Sequence, residues 1–417
     1  MRTETLVIGA GQAGLAASHE LTRLGREHLV VDSGSVGESW RSRRWDSFTL
    51  VTPNWSLRLP GLPPFADPDG FLPRADIVSM LQDYAAAFHA PVRSGITVES
   101  LERSPTGDDL VGRTTDGEIR ATNVIVATGF YRVPRLPGFA ARLSPRVHQL
   151  GTIEYRSPDA LPPGGVLVVG SAQSGCQIVE DLRLAGRDVW LSVGSAPRVP
   201  RRYRGRDGMA WWNDLGRFDI TEDQAPDPRG RFAPNPHMTG ARGGHTINLH
   251  RFARDGVRLI GRIANGGDDR LEIAPDLHER LAGVDRVAAG ICRQIDEFIA
   301  TRDLDAPAAD ETNTDEHDGR EGFETPLTES LDLAAEGIST IVWATGFVPD
   351  FSWIRLPVLD AKGQPIHEAG ATREPGLAFV GLRYQRFAKS DLFLGVGDDA
   401  RLVVERLCAR PADRMPA

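Results

Sequence analysis

The chain has 417 residues, 41% hydrophobic and 25% charged, enough for a large core and for more than one domain. A formal net charge of −9 argues against a nucleic-acid binder that needs a global positive field, and no run approaches the ~18 apolar residues of a membrane span. Three cysteines without C-x-x-C spacing argue against a disulfide framework, a zinc ribbon or a dithiol redox centre, and the apolar run 6–10 is too short for a signal peptide, so a soluble cytoplasmic protein is expected.

In chain order, 3–8 reads as a strand, 15–24 as a helix capped by Gly25, and 29–32 as a second strand. Gly9-Ala10-Gly11-Gln12-Ala13-Gly14 joins the first strand to the helix as a G-x-G-x-x-G turn. Such a turn lets backbone N–H groups and the positive end of a helix approach a pyrophosphate. Asp32, followed by Ser33, closes the second strand where a carboxylate would hold a ribose 2′-hydroxyl. Residues 33–75 are rich in Trp, Pro and Gly and read as ordered loops. A helix is expected at about 74–88, then short strands leading to "NVIVATGF" (123–130) and a Pro-rich crossover at 131–164.

The strand-turn-helix-strand unit then repeats over 166–193, with Gly170-Ser171-Ala172-Gln173-Ser174-Gly175 as its turn. Ala172 adds a methyl group where backbone should approach phosphate. The second strand of this unit ends without an acid, and Arg198, Arg201, Arg202 and Arg204 follow. An acid suits an unsubstituted ribose and a basic cluster suits a 2′-phosphate, so the asymmetry assigns FAD to the first turn and NADPH to the second. Residues 198–270 resist assignment. A long amphipathic helix is expected at 275–301, with Leu277, Leu281, Val284, Val287, Ile291, Ile295 and Ile299 inward. The acidic stretch 303–330 reads as a mobile surface excursion, and the chain ends in a strand before "ATGF" (344–347) and a helix from about 398.

With two such turns and "ATGF" twice, the chain resembles the two-dinucleotide-domain flavoproteins. More closely, it resembles the class B flavin-dependent monooxygenases, flavin-containing and Baeyer–Villiger-like, as a divergent bacterial branch. The segments "GESWRSRRWDSFTLVTPN" (37–54), "WATGFVPDFSWI" (343–354) and "GLAFVGLRYQRF" to "FLGVGDDARLVVERL" (376–407) carry the likeness. It implies an α/β fold of two Rossmann-like dinucleotide-binding domains: a glutathione-reductase-like FAD domain (1–150 and 336–417) with an inserted NADPH domain (151–335). It implies further that Ala127, Thr128 and Gly129, and Ala344, Thr345 and Gly346, lie at the crossovers. Trp40, Arg44, Trp45, Asp46, Thr52 and Asn54 would lie near FAD, and Gly397 and Asp398 would open a helix near the flavin pyrimidine ring.

The activity so implied is hydride transfer from NADPH to FAD, then oxygenation of a small-molecule amine, sulfide or ketone through a C4a-peroxyflavin, with Asn54 a hydrogen-bond donor to it. The class carries a linker F-x-G-x-x-x-H-x-x-x-(W/Y/F). Here "GFAARLSPRVHQLGTIEYRSP" places Gly151 at the His, and His148 just upstream is the candidate to replace it. The missing His favours an alternative, an NAD(P)H-dependent flavin reductase or oxidase releasing hydrogen peroxide. A non-catalytic NADPH-sensing flavoprotein acting through a partner is another. Expected partners are a small-molecule substrate and dioxygen, without nucleic acid or membrane; the oligomeric state stays open, a homodimer included. No metal is expected, since His237, His245 and His250 lack a ligand-spaced acidic or Cys partner.

Overall fold

The computed structural model describes residues 1–309 and 319–409. The first sheet is ordered Val92–Ser94, His28–Asp32, Arg2–Ile8, Gly117–Val126, all parallel. The long strand Gly117–Val126 serves two neighbours on its other side. Its last residues pair in parallel with Leu377–Phe379, and its first half pairs antiparallel with Leu110–Thr114, which in turn pairs with Val98–Arg103. Strands covered on both faces read as continuous apolar runs, which is why Leu6, Val7, Val30, Val124 and Ile125 are all fully buried. The helix Gln12–Arg23 packs against Phe393–Cys408 over this sheet.

The second sheet is ordered Arg258–Ile260, Val189–Ser192, Gly165–Val169, Ile338–Trp343, His148–Gly151, again all parallel. The expected boundary at 150/151 falls inside the strand His148–Gly151, and that at 335/336 falls just before Ile338–Trp343. Ile338–Trp343 pairs with Gly165–Val169 on one side and with His148–Gly151 on the other, so the strands at both expected boundaries belong to the second sheet. The physical reason lies in the repeated "ATGF". Ala127 follows the strand beside the first turn, and Ala344 follows the strand beside the second. Where the chain crosses between the sheets, Val133–Pro134 pairs antiparallel with Phe347–Val348.

The unassigned stretch 198–270 holds the short helices Gly208–Asp214 and Leu249–Arg254 and a set of loops. The expected long helix runs over Leu277–Arg302 and buries Leu277, Leu281, Val284, Ala288, Ile295 and Ile299, while Val287 stays 45% exposed. The stretch 303–330 needs correction. Glu321–Glu324 is a helical turn whose Gly322 N–H donates to His250 Nδ1 at 3.1 Å, and Ser330–Asp332 pairs with Arg270–Ile273. Residues 310–318 of that stretch lie outside the described residues. The last helix starts at Phe393, not near 398, with Leu392 as its cap. Among the described residues, no helix is long and apolar enough to cross a membrane.

Candidate active site

The two glycine turns are built alike. Gly9 has φ +113° and Gly170 φ +108°, a region open to glycine. A Cβ on Gly9 would stand 2.5 Å from the Ala127 carbonyl oxygen, and one on Gly170 would stand 2.6 Å from that of Ala344. A Cβ on Gly14 would collide with the Gly9 carbonyl, and one on Gly175 with that of Gly170, so close helix-on-strand packing demands the third glycine. Gly11 differs, because a Cβ there meets nothing within 4 Å. Ala172 takes nearly the backbone of Gly11 (φ −77°, ψ −177° against φ −85°, ψ −171°), so the second turn loses no geometry, only open space. Neither following helix has a side-chain cap, which leaves their leading N–H groups for an anionic ligand.

A single cleft of 720 Å³ runs from one turn to the other, within the size range of cofactor sites. It brings together Gly9, Gly11, Gln12, Ala13, Asp32, Ser33, Trp40, Arg44, Thr52, Ala127, Thr128 and Gly129 around the first turn. Around the second it brings Gly170, Ser171, Gln173, Ser174, Ala344, Thr345 and Gly346. The Asp32 carboxylate accepts from the Ala10 N–H at 2.7 Å and the Gly34 N–H at 2.8 Å, which fixes it at the cleft wall. In the second unit Val193 follows Ser192 where Asp32 follows Val31, and the Ser171 hydroxyl takes over one such bond, accepting from the Gly194 N–H at 2.9 Å. Trp40 stacks on Phe393 at 5.8 Å, and the Arg44 guanidinium lies over Trp40 at 5.2 Å. Burial lowers the Arg44 pKa to about 10, so it remains a cation at neutral pH.

Several expected site residues do not line the cleft. Asn54 is buried and does not line the cleft; its amide donates to the Asp67 carbonyl at 3.0 Å, and its Oδ1 has no partner. His148 is exposed on the outermost strand of the second sheet. Trp45 packs against Phe48 and Tyr155 in the core, while Asp46 pairs with Arg74 at 3.0 Å. Gly397 abuts Pro60, and Asp398 borders a separate pocket, because the helix opens at Phe393 and presents Asp391, Leu392 and Phe393 to the cleft.

The expected arginine cluster does not line the cleft. Arg198 pairs with Asp285 at 3.1 Å, Arg201 is fully buried against Asp207, Arg202 is exposed with its guanidinium on the Gly243 carbonyl, and none of them lines the cleft. Arg229 and Arg262 line it instead, beyond the strand Val189–Ser192. Arg229 Nη1 donates to the Ser195 hydroxyl at 3.0 Å, and its bidentate pairing with Asp227 raises its pKa. These two arginines lie in the stretch without a readable pattern, so only chain folding identifies them. A second group unforeseen from sequence is Tyr131, Asn235, Arg383 and Asp391, which converge on the cleft from separate segments of the chain. Among the described residues no group of three His, Cys, Asp or Glu could hold a metal.

His237 supports the second turn from behind: it is fully buried, its Nδ1 sits 3.1 Å from the Ser171 carbonyl, and desolvation lowers its pKa to about 3. The folded state therefore keeps this ring neutral where the unfolded chain binds a proton. Stability is present above the ordinary histidine range and falls as pH drops from about 6.5 toward about 3. The loss from this residue reaches about 4 kcal/mol at the acid end. Denaturation midpoints measured against pH should show that slope, and His237→Asn should flatten it.

A family model described as pyridine nucleotide-disulphide oxidoreductase matches residues 6–204. An uncharacterized CzcO-like oxidoreductase of Geobacillus kaustophilus is 31% identical over 405 residues, covering 96% of this chain and 97% of that protein. The indole-3-pyruvate monooxygenase YUCCA1 of Oryza sativa subsp. japonica is 33% identical over 204 residues, 48% of this chain and 50% of that one. A flavin-containing monooxygenase from Stenotrophomonas maltophilia shares the fold at a TM-score of 0.66, with 19% identity and 98% of each chain covered.

Proposed function

The chain belongs to the family of CzcO-like oxidoreductases, and from that premise we propose that it is an FAD-dependent, NADPH-using monooxygenase of a small-molecule amine, sulfide or ketone. The observation that carries the reading is one continuous cleft fed by two uncapped, glycine-opened helices. The first turn fits FAD: Gly11 leaves a cradle that a Cβ would fill, Asp32 stands at the ribose position, and Thr128 Oγ1 is buried without a partner. The second fits NADPH: Ser171, Gln173 and Ser174 open the helix, with Arg229, Arg262 and Ser195 beyond the strand for a 2′-phosphate. When bound, FAD supplies the uptake of hydride and the activation of dioxygen, which side chains do not provide. The chain's own part is to hold both nucleotides along one cleft, to wall it with Trp40, Phe48, Phe130 and Phe393, and to keep Arg44 fixed over that wall.

A second reading, an oxidase that releases peroxide, is favoured by one feature. Gly151 occupies the position of the motif His, its N–H donates to Glu154 at 2.7 Å, and a Cβ there would press on Pro134 at 3.0 Å. With His148 exposed outside the cleft, no histidine among the described residues lines it there. Disulfide reduction lacks support, since the three cysteines are unpaired and Cys176 is buried, its thiol pKa raised by that burial.

Purified protein should be yellow, and NADPH should bleach it faster than NADH. Re-oxidation in the presence of amines, sulfides and ketones then separates the readings, with an oxygenated product for the first and stoichiometric peroxide for the second. Colourless protein that FAD cannot reconstitute would sink both. Arg229→Ala should raise KM for NADPH about 10- to 100-fold, the worth of charge-assisted hydrogen bonds of ~1.5–3 kcal/mol, and leave KM for NADH unchanged.

A further inference from the structure

In the wall of the cleft, four segments bring polar side chains together. Tyr131 follows the first crossover, Asn235 comes from the inserted segment, Arg383 follows the last strand of the first sheet, and Asp391 precedes the last helix. The Tyr131 hydroxyl donates to Asp391 Oδ2 at 3.1 Å, and Arg383 Nε stands 3.9 Å from the same oxygen. Arg383 spends its two Nη groups elsewhere, on the Ala233 carbonyl at 3.2 Å and the Asn235 Oδ1 at 3.1 Å. The carboxylate is therefore flanked by a cation that does not close onto it. The Gln12 amide of the first turn donates to the Asp391 carbonyl at 2.7 Å, which locks the carboxylate's backbone to the flavin-side turn. Phe347, after the second crossover, packs edge-on to Tyr131 at 5.6 Å. The cluster thus shares the cleft wall with both turns and touches the first turn and the second crossover.

The proposed reaction needs a proton there. Oxygenation consumes NADPH, dioxygen and one proton; the hydride supplies both electrons, the O–O bond breaks, one oxygen joins the substrate, and the other leaves as water. Release of peroxide also consumes one proton, so the need is common to both readings. We infer that Asp391 delivers this proton into the cleft, with Tyr131 as its hydrogen-bonded partner and Arg383 and Asn235 as positioning residues. The inference rests on the flavin-oxidoreductase reading above and adds a residue to it.

The electrostatics agree with the geometry. Burial raises the Asp391 pKa against the lowering effect of Arg383, so its protonated form extends to higher pH than an exposed aspartate's. The charged and titratable groups facing the pair are Arg383, Arg44, Tyr131 and Tyr384. Burial and the Asp391 charge raise the Tyr131 pKa to about 12, so the phenol holds its proton and passes none without the carboxyl.

The test uses the holoenzyme and Asp391→Asn, with bleaching by NADPH measured anaerobically and re-oxidation by dioxygen measured separately. Wild-type re-oxidation should slow as pH rises through the Asp391 titration. Asp391→Asn should re-oxidise about 10²-fold more slowly once reduced and lose that pH dependence. A second readout needs no flavin. In the FAD-free protein, the tyrosinate absorption assigned to Tyr131 by its loss in Tyr131→Phe should appear at lower pH in Asp391→Asn. Wild-type re-oxidation rates and an unchanged pH profile in Asp391→Asn would overturn the assignment. A wild-type protein that NADPH cannot bleach would instead remove the parent reading, and this one with it.

Discussion

Gly14→Ala should yield protein without bound flavin and with a severely weakened first domain, whereas Gly11→Ala should fold and lose only affinity. The two substitutions add the same methyl group three residues apart in one turn. At Gly14 the methyl meets the Gly9 carbonyl, inside a contact between helix and strand that cannot open without moving both. Overpacking of this kind costs typically ~1–3 kcal/mol, and more when backbone is the obstacle. At Gly11 the methyl enters open space, so the fold is untouched and the cost falls on whatever approaches the turn. Weakened hydrogen bonds to a pyrophosphate would reduce FAD affinity about 10- to 100-fold. Flavin content after purification, flavin titration into stripped protein, and thermal unfolding distinguish the outcomes. Equal unfolding temperatures for the two variants would contradict the packing argument. Ala172 is the natural counterpart of the second substitution, so Ala172→Gly should tighten NADPH.

Arg201→Ala should destabilise the protein by about 3–5 kcal/mol, the cost of leaving a buried carboxylate without its cation. Its guanidinium reaches Asp207 through bonds of 2.5, 2.6 and 2.7 Å, donates to the Val51 carbonyl at 2.8 Å, and lies over Phe71 at 4.6 Å. It therefore ties the inserted segment to the loop that carries Thr52 and Val51 to the cleft. Denaturant midpoints should fall sharply, while the ratio of KM for NADPH to KM for NADH should stay near wild type. A selective rise in KM for NADPH with full stability would return Arg201 to the phosphate site. The contrast with Arg229 matters because both residues are arginines downstream of the second turn, and only burial separates an anchor from a ligand group.

The contrast also marks how far the sequence reaches. Both glycine turns, Asp32 and the strand-helix alternation are local patterns. They are fixed by what a backbone needs in order to turn within a few residues, so they are legible without the fold. The long helix Leu277–Arg302 is legible for the same reason, because its apolar residues recur at the helical period. By themselves these features determined two dinucleotide-type units and the asymmetry between them.

Only the tertiary structure decided which side chains face the cleft. "STIVWATGF" reads like "NVIVATGF", and strand pairing places it in the second sheet, since register is settled by neighbours distant in sequence. Asn54 and the arginines after the second turn have suitable chemistry, yet loop closure turns them toward Asp67, Asp285 and Asp207. Arg229, Arg262 and the group Tyr131, Asn235, Arg383 and Asp391 carry no spacing signal, because segments far apart in the chain bring them together. Local geometry is written in short-range spacing, whereas the electrostatics of a cleft are a sum over elements that meet only after folding.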